Sequence, residues 1–292
     1  MAITTGEFER TLYPALKVVI KDAEEKLAPE YTALFNVADT DRAYDEEWSW
    51  GGLGGPVAKT EGTGVSFSKI VPGYYKRYNQ ATFGLGFIVT LEMRTFEKYG
   101  IIGQLASDLG DSIREGIEVL ASGVLNTSLT DAGPDGEYLF STAHPILRGG
   151  TQSNRLSTLA DVSFTSYAQM LTMAETVVSN EGRKRRMTPS MLWHTPQLEV
   201  KVNELLQSTD RPDTANRAKN VLRKVQPFMY HYLSSTTMWG LKASKDFSRI
   251  YFAMRPKPSK AYDFKTENYM VKELFMLASG YSDYRGFFLG NQ

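Results

Sequence analysis

Apolar residues recur every three or four positions between Gly103 and Leu129: Leu105, Leu109, Ile113, Ile117, Leu120 and Val124. Asp108, Asp111, Arg114, Glu115 and Glu118 lie mostly off that stripe, so the segment predicts an amphipathic helix. At 1.5 Å per residue it would be a rod of roughly 40 Å. Gly110, Gly116 and Gly123 weaken its helix propensity, which implies close packing against a neighbouring element. A second stripe, Phe8, Leu12, Leu16, Val19 or Ile20, Ala23 and Leu27, predicts a partly helical arm over residues 6–35. Pro14 sits inside it and predicts a break or kink. A third helix is expected from about Thr165 to Ser179, with Tyr167, Met170, Leu171, Ala174, Val177 and Val178 on its buried side and Asn180-Glu181-Gly182 as its stop. Pro196 fits the first turn of a fourth, carrying Leu198, Val202, Leu205 and Leu206.

Between the arm and the long helix the period changes to two. Val65 to Val71 alternates apolar with polar, and Ala81 to Leu91 is rich in strand formers. Before them, Gly51, Gly52, Gly54, Gly55, Gly62 and Gly64 surround Pro56. A paired, twisted ribbon with a flexible glycine-rich segment satisfies this pattern. Such a ribbon buries little by itself and gains stability by lying across another surface. Trp48, Trp50, Leu53 and Val57 on the ribbon, with Phe8, Leu12 and Leu16 on the arm, are the candidate intersubunit contacts. Further on, Met191-Leu192-Trp193 reads as a short buried strand, Gln207 to Asn220 as a polar loop, and Val221–Met229, Thr236–Leu241, Ile250–Met254 and Tyr269–Tyr281 as strands. Helices and strands both occur, in an α+β chain without internal repeats.

Composition narrows the function. The 33 basic and 33 acidic side chains cancel, which argues against a dedicated nucleic-acid binder. With no cysteine, disulfides, thiolate nucleophiles and cysteine-ligated zinc are excluded. Glu7, Glu9, Arg10 and Lys17 interrupt the first twenty residues, so no signal peptide is expected there. No run approaches the roughly 18 apolar residues of a membrane span, and no membrane partner is expected.

Candidate chemistry is sparse. His144, His194 and His231 are the only histidines, and none has a second at metal-ligand spacing. His144, with Ser141 three residues before it, is the one candidate for a hydrolase base; the plainer reading has it fixing the loop before Pro145. His194 fits a strand end beside Trp193, and His231, between Tyr230 and Tyr232, reads as strand packing. Ser66-Phe67-Ser68-Lys69 matches the Ser-x-x-Lys string of penicillin-binding enzymes but sits in a strand pattern with no following Lys-Thr-Gly. No phosphate-binding loop occurs. Arg183-Lys184-Arg185-Arg186 reads as a solvated turn or an intersubunit charge contact. No catalytic residue, cofactor or metal is expected.

Three separated segments carry a family resemblance. Asp135-Gly136 through Leu139-Phe140 and His144-Pro145 to Asn154 is the first; Gly182-Arg183 through Pro189 and Leu192 to Pro196-Gln197-Leu198-Glu199 is the second; Tyr281-Ser282-Asp283-Tyr284-Arg285-Gly286 is the third. In this order they resemble the Mu-like major capsid proteins of tailed bacteriophages. The resemblance implies the Hong Kong phage-type fold: an amino-terminal arm at 1–47 and an extended loop with flanking strands at 48–92. A peripheral domain follows at 93–186 and 263–292, with its spine helix at 103–129, and an axial domain at 187–262. It also implies a subunit that assembles with itself as pentamers and hexamers around double-stranded DNA, built in the host cytoplasm and ending in the virion head. A separate scaffolding protein, a portal and a decoration protein are the other implied partners. An encapsulin-type nanocompartment would share the fold and hold cargo enzymes instead of a genome.

Overall fold

A computed structural model describes residues 5–50, 52–53, 55–67, 72–96, 100–211 and 218–292, the side chains of 5–12 and 50 excepted. The elements are helices α1 (Thr5–Glu25) and α2 (Tyr31–Leu34), strands β1 (Asn36–Asp39), β2 (Tyr44–Trp50), β3 (Pro72–Asn79) and β4 (Ala81–Val89), then helices α3 (Leu91–Phe96) and α4 (Ile101–Asn126). There follow β5 (His144–Pro145), β6 (Thr151–Gln152), α5 (Phe164–Glu175), β7 (Pro189–His194), α6 (Glu199–Gln207), β8 (Gln226–Met229), β9 (Trp239–Ala243), β10 (Ser248–Asp263), β11 (Asn268–Tyr281) and β12 (Phe287–Asn291). They divide into two compact units. One comprises Met1–Asp45, Tyr78–Ala121 and Ile250–Ser279; the other comprises Glu46–Arg77, Ser122–Arg249 and Gly280–Gln292.

The first unit is built on a sheet of order β1-β10-β11-β4. Strands β11 and β4 run antiparallel from Tyr269 opposite Val89 to Leu277 opposite Ala81. Alternate residues of β11, Tyr269, Val271, Phe275 and Leu277, are buried, as a strand with one covered face requires. The predicted long helix is α4, and its buried row is Ile102, Ala106, Leu109, Ile113 and Ile117. Leu105 and Leu120, placed on the stripe by sequence, are only half-buried. At Gly110 a Cβ would stand 2.4 Å from the Ile20 carbonyl oxygen and 2.9 Å from the Ala23 Cβ; α1 crosses α4 there. Nothing lies within 4 Å of the corresponding points at Gly116 and Gly123, so close packing accounts for only one of the three glycines.

Pro14 does not break the arm: α1 continues through it. The missing N–H and the ring clash cost about 3 kcal/mol or more in a helix interior. Burial of Leu16, Ile20 and Ala23 offsets this at roughly 1.5–3 kcal/mol for each large side chain. Tyr13 adds a hydrogen bond from its hydroxyl to the Pro258 carbonyl, 2.9 Å. Glu118, expected off the stripe, is buried because its carboxylate accepts the backbone N–H groups of Glu30 (2.6 Å) and Tyr31 (3.1 Å), tying the entrance of α2 to α4. Helix α3 begins where strand was expected to run to Leu91; the Thr90 hydroxyl accepts the Met93 N–H at 3.2 Å and turns the chain.

The second unit centres on a sheet of order β12-β9-β7-β8, in which β7 and β8 are parallel and β9 is antiparallel to both β7 and β12. Tyr167, Met170 and Ala174 of α5 and Val202, Leu205 and Leu206 of α6 pack with Leu192, Trp239, Leu241 and Phe288 in one core. A reciprocal capping box between Ser163 and Ser166 starts α5. The helix ends at Glu175, four residues earlier than expected, yet Val177 remains buried. Strand β8 is short, and His231 lies beyond it in an exposed turn rather than in strand packing. A two-stranded ribbon is present, but its strands are β2 and β3; the expected strand from Ala81 is β4, which pairs with β11 in the sheet of the first unit instead. Residues 65–67, expected to alternate in a strand, have no regular structure; the remainder of that run, 68–71, lies outside the described residues.

Candidate functional site: an exposed ribbon and a buried polar node

Two features of the second unit stand out, and neither is a catalytic cleft. The first is the ribbon. Trp48 on β2 stacks on Tyr75 of β3, with centroids 5.2 Å apart, and Arg77 pairs with Glu46 at 2.6 Å. These cross-strand contacts give the ribbon its register. Beyond them every described residue from 52 to 67 is exposed. Val57 is 72% exposed, Val65 65% and Phe67 93%. The Arg183 guanidinium donates to the Leu53 carbonyl at 3.3 Å. Apolar side chains are rarely held out in this number on a monomer surface.

Of the seven contact residues expected from sequence, Trp48, Leu53 and Val57 are exposed on this ribbon. Leu16 is buried in the first unit's own core. The side chains of Trp50, Phe8 and Leu12 lie outside the described residues. Sequence reasoning missed Val65, Phe67 and Tyr75 as exposed apolar groups. Their proximity to the glycine-rich run was the available signal, but the alternating pattern around Phe67 pointed to a paired strand.

The second feature is a buried node around His144, which is fully enclosed. Its Nδ1 lies 2.7 Å from Asp135 Oδ2 and its Nε2 3.0 Å from Asn154 Oδ1. The ring lies flat on Tyr284, 3.6 Å between centroids. Asn154 is oriented by its amide, which donates to the carbonyls of Leu139 (2.7 Å) and Phe287 (3.2 Å), while its Oδ1 also accepts the Ser141 N–H. Each imidazole nitrogen thus has an oxygen partner within hydrogen-bond distance, and the two contacts fix the ring in its plane. Ser141 does not face this ring as a nucleophile would; its hydroxyl donates to Glu137 at 2.7 Å.

Arg285 extends the node. It donates to the Val178 carbonyl (2.9 Å), to Asn180 Oδ1 (2.6 Å) and, through one nitrogen, to both Asp283 oxygens (3.0 and 3.1 Å). Arg185 stands 3.8 Å from Asp283 and over the Phe247 ring. The basic turn is thus engaged within the chain: Arg186 pairs with Glu175, and Arg183 holds the ribbon. Three stretches far apart in sequence, 135–154, 178–185 and 281–286, close on one another. Burial pushes the Tyr284 and Tyr281 hydroxyls well above the ordinary phenol range, so both stay neutral. His194 is pushed down by burial, and its Nδ1 lies 2.8 Å from the Thr195 carbonyl.

A shallow groove of about 860 Å³ runs along α5 between Thr151 and Arg211. Arg211, the only charged residue among the described ones that line it, is stacked over Phe164. Among the described residues no group of three or more His, Cys, Asp or Glu could hold a metal. No helix among them is long and apolar enough to cross a membrane.

The fold matches known shells. It is similar to the capsid of the Cyanophage P-SCSP1u, with a TM-score of 0.61 and 12% identity over 91% of this chain and 89% of that one. Microbacterium phage Oxtober96 gives a TM-score of 0.59 and 10% identity over 91% of each chain. A virus-like particle from Pyrococcus furiosus gives a TM-score of 0.58 and 8% identity over 96% of this chain and 99% of that one. At such identities the likeness is one of fold, the α+β Hong Kong phage-type capsid fold. No curated protein matches the sequence. A family model described as phage capsid protein matches residues 74–278, which reach from the ribbon through the His144 node to the last turns of β11. That span exceeds half of the 292 residues, and the chain belongs to the phage capsid protein family.

Proposed function

We propose that this chain is the major subunit of an icosahedral head shell that encloses the double-stranded DNA of a tailed phage. The observation that carries the reading is the ribbon: a stretch of described residues, all exposed from 52 to 67, with Leu53, Val57, Val65 and Phe67 unshielded. Many copies of one chain close a shell when each offers contacts that adjust between five-fold and six-fold surroundings. A ribbon held outside a packed core supplies the adjustment, and the core supplies the constancy. In this reading 1–47 is the arm, 48–92 the extended loop, 93–186 with 263–292 the peripheral domain and 187–262 the axial domain. The Mu-like placement within the family rests on the three ordered sequence segments. Assembly in the host cytoplasm with a separate scaffold, portal and decoration protein belongs to the same reading. The neutral charge suits it, since a wall that gripped DNA strongly would hinder packing and ejection.

Negative-stain microscopy of the purified protein, with its cognate scaffold supplied, tests the proposal. Closed particles of uniform diameter are expected. A chain that stays monomeric at high concentration overturns it. The likeness to a virus-like particle across nearly the whole of both chains favours one second reading, a compartment around protein cargo. Native particles filled with protein instead of DNA would select it. The chain is expected to have no turnover of its own; ester, peptide or phosphate hydrolysis abolished by His144→Ala would defeat that expectation.

A further inference from the structure

The inward row of β11 contains one residue of the wrong kind. Tyr269, Val271, Phe275 and Leu277 are apolar, but Glu273 falls in phase with them and is fully buried. A leucine would fill the position without burying a carboxyl. Neither Glu273 oxygen completes an ordinary hydrogen bond, nor does Oε1 of Glu24, the half-buried carboxyl opposite on α1. We propose that Glu24 and Glu273 form a proton-dependent clasp that seats α1 on the sheet: a shared proton closes it, and ionisation of both carboxyls unseats the helix.

The surroundings leave these two groups to decide the matter. Among the described residues, Glu24 and Lys21 of α1 act on Glu273 through their charges, and Glu25 adds to the repulsion at Glu24. Strand β4 has no titratable side chain. On β10, Arg255 is committed to Asp39, Lys260 lies over the Tyr13 ring and Lys257 is exposed. On α4, Glu118 serves the backbone of Glu30 and Tyr31, Arg114 pairs with Asp111, and Asp108 and Glu115 are exposed. Lys272, beside Glu273 in sequence, points to the other face of β11 and is exposed.

Burial first, then the proton shared with Glu24 and its charge, hold the Glu273 carboxyl up to about 8 against an ordinary 4.5; Lys21 pulls weakly the other way. Burial raises Glu24 as well. The folded value lies above the unfolded one, so the clasp's contribution is complete below about 4.5 and is lost as pH rises through about 8.

Hydrogen exchange of the amides of residues 16–25 in the full chain, from pH 5 to 9 and corrected for intrinsic exchange, tests this. In the natural sequence the opening constant of α1 should rise about tenfold per pH unit and level off above 8, with α5 as the unchanging reference. Glu273→Gln should abolish the rise, and Glu24→Gln should bring the plateau to lower pH. A flat profile in the natural sequence, or an unchanged slope in Glu273→Gln, overturns the clasp. Should Glu273→Gln fail to fold, Glu24→Gln decides: a plateau left in place overturns the proposal, and a lowered one supports it.

Discussion

Removing the imidazole of His144 would strand Asp135 and one acceptor position of Asn154 in a sealed site, and leave the Tyr284 face without its partner. Leaving buried hydrogen-bonding groups without a partner costs about 1–3 kcal/mol each. His144→Ala should therefore lower the urea midpoint by that equivalent, whereas His231→Ala, in an exposed turn, should change it by no more than about 0.5 kcal/mol. A smaller loss at His144 than at His231 would contradict the node. The residues of the node were all visible in the sequence, but their meeting was not. Arg285 reaches Val178 and Asn180 across more than a hundred positions, and no periodicity encodes such a contact. Glu273 is the opposite case. Its phase with Tyr269, Val271 and Phe275 can be read directly from the sequence, yet only burial reveals that the carboxyl has nowhere to go.

Elements whose period was strong came through. Helix α4 matches its amphipathic stripe to within a few residues, and β7 and α6 fall where apolar runs and Pro196 placed them. The failures have different physical origins, tertiary packing at Pro14 and a local side-chain cap at Thr90. Pro14 is carried by packing on its C-terminal side, and Thr90 redirects a strand-forming run into α3. The glycines of α4 separate the two kinds of influence. Gly110→Val should collide with the α1 backbone at Ile20 and cost about 1–3 kcal/mol, as overpacking does. Gly116→Ala enters open space and should stabilise by up to about 1 kcal/mol through helix propensity. Thermal melts of the two variants check both; equal effects would refute the crossing at Gly110.

For the molecule as a whole, the ribbon is expected to serve assembly and not stability. Deleting 51–64 should leave the two cores folded, with far-ultraviolet circular dichroism and the unfolding midpoint close to those of the natural chain, and should block particle formation. Particles that still form would show that closure does not depend on the ribbon. The single substitution Trp48→Ala removes the stack on Tyr75 and should slow assembly more than it lowers stability, because the pair braces an exposed ribbon rather than a core.

The exposure of Lys59 within that ribbon gives assembly a chemical timestamp. Trypsin meets an accessible lysine in irregular backbone on every free subunit, so a brief pulse should split the chain near its first fifth. Once a neighbour covers the ribbon, the same bond becomes resistant. Pulses applied along an assembly reaction should therefore yield a declining ratio of cut to uncut chains that follows the growth of particles, and uncut chains recovered from the mixture should be the ones that joined a wall before the enzyme reached them.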